Sequence, residues 1–87
     1  MHMKKLEHQI ADPIGIHARP AERLAQAAGA FQSKIVIAAH GDETEAIYPL
    51  SVLGMNIRHG DTVTVTIEGP DEVQAAQAIA DVLKECL

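Results

Sequence analysis

Four short segments of the chain are predicted as β-strands, and the first and last of them show a regular alternation of apolar and polar residues. The segments cover residues 4–10, 33–39, 44–48 and 62–68. In the last segment three aliphatic side chains face one way, while three threonines and Glu68 face the other. Because that second face is polar, we expect other elements to cover only one face of the sheet.

Three further segments have the composition or the periodicity of helices. They cover residues 18–28, 49–55 and 73–87. Pro20 falls in the first turn of the first helix, where its missing N–H has no cost, and Gly29 is expected to end that helix. The inward stripe of the last helix is expected to comprise Val73, Ala76, Ile79, Ala80, Leu83 and Leu87. The order β-α-β-β-α-β-α predicts an α/β fold, an open-faced two-layer sandwich with its helices together on one face.

The length of 87 residues predicts a single domain over residues 1–87. A domain this small buries about 60% of its unfolded surface, so we expect its function at the surface rather than in an enclosed cavity. A net charge of -5 and an aromatic content of 2% disfavour nucleic-acid binding. The absence of a long apolar run disfavours membrane insertion, and we expect a monomer.

Cys86 is the only cysteine, so an internal disulfide is excluded and a reducing, cytoplasmic location is expected. The residues that follow Met1-His2 lack an apolar signal core, and Met1-His2 itself is explained equally well as native sequence or as a cloning remnant.

We expect no metal and no cofactor. Histidines apart from His17 lack the i, i+4 spacing and the cysteine neighbours of metal ligands. They are His2, His8, His40 and His59. A hydrolase is also disfavoured, because the chain carries no evident Ser/His/Asp set, paired-carboxylate site or phosphate-binding glycine loop.

The segment from Gly15 to Ala21 contains the candidate chemistry. His17 is placed at or beside the N-cap of the first helix, where unpaired backbone N–H groups and the helix dipole favour an anion. Neutral imidazole is a competent nucleophile near pH 7, and Arg19 can add donors to a phosphoryl group. The spacing does not decide between a phosphoryl acceptor and an ordinary surface histidine.

The sequence Gly15-Ile16-His17-Ala18-Arg19-Pro20-Ala21 resembles the active-site signature of the HPr family, the histidine phosphocarriers of the bacterial phosphoenolpyruvate-dependent sugar phosphotransferase system. Residues 30–35 and 60–72 resemble further segments of the same family. The resemblance implies a four-stranded antiparallel sheet with three helices on one face.

The resemblance also implies a function, that of a carrier rather than an enzyme. His17 would accept a phosphoryl group from phospho-enzyme I on the ring nitrogen nearest the backbone and pass it to enzyme IIA domains in sugar uptake. His17, Ala18 and Arg19 would bind the phosphate, with Arg19 stabilising the phosphorylated state. The surface that binds partners would comprise Ala18, Arg19, Pro20, Leu50 and Leu53.

The chain departs from the family pattern before the second helix. Many relatives carry a regulatory serine where this sequence has Tyr48, followed by Pro49; Ser51 falls three residues later. This departure leaves two alternatives beside general sugar uptake. One is a carrier for a specialised branch, with a dihydroxyacetone kinase or a nitrogen-related phosphorelay. The other is a regulatory binding module without transfer, although such a module would need neither His17 nor Arg19.

Overall fold

The computed structural model describes residues 3–87, and its elements follow the predicted order. The strands are β1 (Met3–Gln9), β2 (Lys34–Ala39), β3 (Asp42–Glu45) and β4 (Thr62–Glu68). The helices are α1 (Ala18–Gly29), α2 (Pro49–Gly54) and α3 (Glu72–Cys86). The origin of Met1-His2 and the expectation that His2 binds no metal lie outside the described residues.

The four strands form one antiparallel sheet in the order β1-β4-β2-β3. β4 pairs with β1 from Met3↔Glu68 to Gln9↔Thr62, and its other edge pairs with β2. Because β4 lies between two strands, its alternating pattern places Val63, Val65 and Ile67 in the core. The expected four-stranded antiparallel sheet with three helices is confirmed.

The hydrophobic core lies between the sheet and the helices. The side chains of Leu24 from α1, Val52 from α2 and Ile79 from α3 are completely buried against the inward face of the sheet. Burial of each such aliphatic side chain contributes about 1.5–3 kcal/mol to folding. This packing therefore holds the three helices in fixed positions on the sheet. Among residues 3–87, no helix has the length and apolarity needed to cross a bilayer.

The prediction of a strand over 44–48 was wrong in its bounds. β3 begins at Asp42, because the intervening residues His40 and Gly41 both have positive φ (36° and 88°) and form a two-residue hairpin turn. The chain leaves the strand after Glu45, where Tyr48 N–H donates to the Glu45 carbonyl in a turn. The first residues of β3 are polar, so the hydrophobic pattern does not indicate that the strand begins there.

Two details of the helices also differ from the prediction. The inward stripe of α3 excludes Val73, which is 62% exposed, and instead includes Ala75 and Val82. Val73 lies six residues before Ile79, which at 3.6 residues per turn places it about 120° away around the helix. Gly29 is the last residue of α1, one residue beyond the predicted bound, and the C-cap is Ala30 in a right-handed conformation.

Candidate functional site

His17 is the N-cap of α1, as predicted. Its backbone is extended (φ −124°, ψ −171°), and its carbonyl oxygen accepts the Ala21 N–H at 3.1 Å. Among the described residues its side chain makes no capping hydrogen bond, and the first turn of α1 contains no acidic residue. The imidazole is therefore free for other partners beside the positive end of the helix dipole.

The loop before His17 is held against the segment that precedes β4. Ile16 N–H donates to the Ile57 carbonyl at 3.0 Å, and Gly15 N–H donates to the Asp12 carbonyl at 3.0 Å. Gly15 has φ +83°, and a Cβ there would come within 2.5 Å of the Ile57 carbonyl oxygen. Both the positive φ and the close contact require glycine at this position.

A carboxylate that the sequence reasoning missed lies beside the histidine. The Oδ2 atom of Asp12 is 4.0 Å from Nε2 of His17, and the two side chains are 27% and 40% exposed. The other carboxylate oxygen, Oδ1, accepts the Ile14 N–H at 2.8 Å. Aspartate before Pro13 indicates a turn in the sequence, but the sequence pattern did not indicate that this turn aims the carboxylate at His17.

Two exposed arginines belong to the segments around His17. Arg19 is exposed in the first turn of α1, where the sequence placed it. Arg58 is also exposed, and its backbone lies against Gly15: a Cβ on Gly15 would be 2.8 Å from the Arg58 Cα. No sequence pattern indicates the contact between Arg58 and the His17 loop, because that contact is tertiary.

The predicted partner surface is only partly exposed. Ala18, Arg19 and Leu50 are exposed, with Leu50 at 81%, whereas Leu53 packs partly against the core. Pro20 is buried in the first turn of α1, where proline is favoured, and its place on the partner surface stays a prediction.

The exposed apolar surface also extends beyond the residues named from the sequence. Ile47 and Tyr48, at the start of α2, are exposed, and Ile47 and Pro49 line a groove of about 340 Å³ with α1. Sequence reasoning missed Ile47 because it placed residues 44–48 in a strand. We call Ala18, Arg19, Ile47, Tyr48 and Leu50 the α1–α2 surface.

Two other described histidines, His8 and His40, lie elsewhere. His8 is half-buried on β1, and its Nε2 has no hydrogen-bond partner among the described residues. His40 Nε2 is 3.7 Å from Asp61 Oδ2 at the β2–β3 hairpin. These positions separate both from the first turn of α1, and His17 alone among residues 3–87 is a helix N-cap histidine.

The fold and the sequence have close counterparts among known proteins. The family model described as "PTS HPr component phosphorylation site" matches residues 4–85. The phosphocarrier protein HPr of Mycoplasma genitalium is 41% identical over 86 residues, which cover 98% of this chain and 93% of that protein. A mycoplasma histidine-containing phosphocarrier structure has a TM-score of 0.89 at 37% identity, covering 91% of this chain and 90% of that one.

A more distantly related structure is that of Crh of Bacillus subtilis, described as a domain-swapped, intertwined dimer. It has a TM-score of 0.74 at 27% identity, with 84% of each chain covered. Together, the fold and the near-complete matches define this protein as a small phosphocarrier of the phosphotransferase-system type. The chain belongs to the HPr family.

Proposed function

We propose that His17 accepts a phosphoryl group from phospho-enzyme I, ultimately from phosphoenolpyruvate, and passes it to enzyme IIA domains in sugar uptake. The observation that carries the proposal is the half-exposed His17 imidazole at the N-cap of α1, free of a capping bond to the described residues. It lies inside the matched segment whose family description names a phosphorylation site. The protein then acts as a carrier that is transiently phosphorylated and not as an enzyme with its own substrate.

The first turn of α1 is suited to bind the phosphoryl group once it is on His17. The N–H groups of Ala18 and Arg19 have no helical acceptors, since they belong to the first residues of the helix. An anion at such a helix end gains about 0.3–1 kcal/mol from the dipole. The Arg19 guanidinium adds a second, charge-assisted source of donors.

The α1–α2 surface supports docking of protein partners next to the phosphoryl group. Leu50 and Tyr48 expose apolar area on a small domain, and Arg19 contributes a positive charge from the first turn of α1, the helix packed against α2. A partner that covers this surface excludes water from the neighbouring His17 and aligns its own acceptor or donor for in-line transfer.

We also propose that residues 1–87 act as one phosphocarrier domain, monomeric and in the cytoplasm. The described residues share one hydrophobic core cluster, which supports a single unit. Crh is described as a swapped dimer, so light scattering after gel filtration is the test of the monomer. A mass of twice the chain at micromolar concentration would contradict it.

A specialised branch is the second candidate, and Tyr48 is the observation that favours it. Tyr48 is the N-cap of α2 and is followed by Pro49, where many relatives carry a regulatory serine. A carrier outside general sugar uptake has no need of that control. The acceptor would then belong to a dihydroxyacetone kinase or a nitrogen-related phosphorelay.

The experiment is phosphoryl transfer from labelled phosphoenolpyruvate through enzyme I, followed by a panel of acceptors. Label that reaches enzyme IIA domains of sugar transporters supports the first function, and label that reaches only acceptors of the other branches supports the second. A folded chain that binds these proteins but takes no label would make it a binding module and would contradict both.

A further inference from the structure

We propose that Asp12 is a positioning residue for phosphoryl transfer, which keeps the ring proton on Nε2 of His17 and leaves Nδ1 free as the nucleophile. This inference rests on the proposed function of His17 and adds a residue to it. The Asp12 Oδ2 atom lies 4.0 Å from His17 Nε2, within ion-pair range and beyond a direct hydrogen bond.

The backbone holds the Asp12 carboxylate in this place. Its Oδ1 atom accepts the Ile14 N–H at 2.8 Å, and its own carbonyl oxygen accepts the Gly15 N–H at 3.0 Å. The Asp12 N–H donates to the Leu87 backbone oxygen at 3.1 Å. With one carboxylate oxygen engaged in the turn, the second is left directed at the imidazole.

The position of the proton decides which ring nitrogen can react. A neutral imidazole carries its proton on one nitrogen and a lone pair on the other, and an ionised carboxylate can only accept. Oδ2 beside Nε2 therefore favours the Nε2–H tautomer, as an orienting carboxylate does beside other reactive histidines. The lone pair of Nδ1 is then available on the side of the ring nearest the backbone.

Asp12 also offsets the charge that the reaction creates. The Nδ1 lone pair forms the new N–P bond while the bond between phosphorus and the donor breaks, and the donor keeps that electron pair. The His17 ring retains its Nε2 proton and so becomes positively charged in the phosphorylated product. Transfer to the next acceptor reverses these changes, so the carboxylate affects both steps through the same Nε2–H.

Asp12→Asn tests this role with little change of shape. The Asn carbonyl oxygen still accepts the Ile14 N–H, but an amide N–H group replaces Oδ2 and presents a donor to His17 Nε2. Nitrogen-15 NMR in mildly alkaline solution should then show a larger population of the Nδ1–H tautomer. The initial rate of phosphorylation by enzyme I and phosphoenolpyruvate should fall about threefold, as expected for losing one partly exposed charge contact.

Two further variants complete the design. Asp42→Asn removes the same charge at the exposed start of β3 and should leave both the tautomer and the rate as in the wild type. Asp12→Ser keeps an acceptor for the turn without a carboxylate and should slow transfer as well, which covers the case in which Asp12→Asn fails to fold.

The NMR measurement and the transfer assay distinguish failure of the Asp12 role from failure of the proposed function. Unchanged tautomer populations and rates in the Asp12 variants would overturn the positioning role while leaving His17 as the acceptor. A wild-type chain without phosphate on His17 would overturn the proposed function itself.

Discussion

Ile16 donates its backbone N–H to the carbonyl oxygen of Ile57 at 3.0 Å, one residue before His17. This bond ties the loop after β1 to the segment before β4. Gly15 lies so close to the same carbonyl that no Cβ fits between them. The position of His17 therefore depends on a tertiary contact as well as on the helix it caps.

Replacing Gly15 by alanine should destabilise the protein and impair transfer together. The new Cβ would meet the Ile57 carbonyl oxygen at 2.5 Å, in addition to the cost of a positive φ. Gly60→Ala is the matched control, because its φ is +89° and no other described atom lies within 4 Å of the added Cβ. In urea unfolding, Gly60→Ala should lose about 1 kcal/mol and Gly15→Ala clearly more. Equal losses would mean that the contact with Ile57 relaxes freely.

Acid should weaken a second tertiary interaction, the hydrogen bonds between Asp71 and the loop after α1. Asp71 accepts hydrogen bonds from the Ser33 hydroxyl at 2.5 Å and from the Gln32 and Ser33 N–H groups at 2.9 Å. The Ser33 hydroxyl, and next the Gln32 N–H, hold the pKa of Asp71 below its usual value. This contribution to stability is fully present above the unfolded-state pKa near 3.9 and is lost as pH falls through the lower folded pKa.

The measurement is the free energy of unfolding as a function of pH for wild type and Asp71→Asn. The variant should be less stable at neutral pH, and its stability should fall less steeply below about pH 4. Ser33→Ala removes the largest cause of the lowered pKa and should reduce the slope in part. Parallel pH profiles for wild type and Asp71→Asn would refute this assignment.

Local sequence patterns predicted most of the fold and part of the site. The alternation in β4 and the turn-plus-proline signal around His17 are local, so the strand and the N-cap were predictable. The bounds of β3 were predicted wrongly because its hairpin turn puts His40 at positive φ, a conformation that histidine does not indicate in a sequence. The contact of Asp12 with His17 and that of Arg58 with Gly15 depend on how loops pack, which no periodicity encodes.

Arg19→Glu should slow transfer far more than it destabilises the fold. Arg19 is exposed, so its replacement should change the free energy of unfolding by no more than about 0.5 kcal/mol. A negative charge beside the phosphoryl group should lower the transfer rate about tenfold or more. Arg23→Glu makes the same charge change one turn later, where Arg23 pairs with Glu85 at 3.4 Å, and should transfer normally. Equal rates for Arg19→Glu and wild type would mean that the helix N-terminus suffices.

An ATP-dependent HPr serine kinase should not phosphorylate this chain efficiently. Tyr48 occupies the N-cap of α2, and Ser51 lies inside that helix, so presenting Ser51 to a kinase would require α2 to unwind. Tyr48→Ser restores a primary hydroxyl at the N-cap and should become a substrate. Mass spectrometry after incubation with kinase and ATP distinguishes the two proteins, and stoichiometric phosphate on Ser51 of the wild type would restore the regulatory role.

The central claim is tested most directly by locating the phosphate after incubation with phosphoenolpyruvate and enzyme I. Tandem mass spectrometry under non-acidic conditions should place one acid-labile phosphate on His17. His17→Ala should keep the circular-dichroism spectrum of the folded protein and take up no phosphate. Acid-labile phosphate that persists on folded His17→Ala would contradict the assignment of His17 as the phosphoryl acceptor.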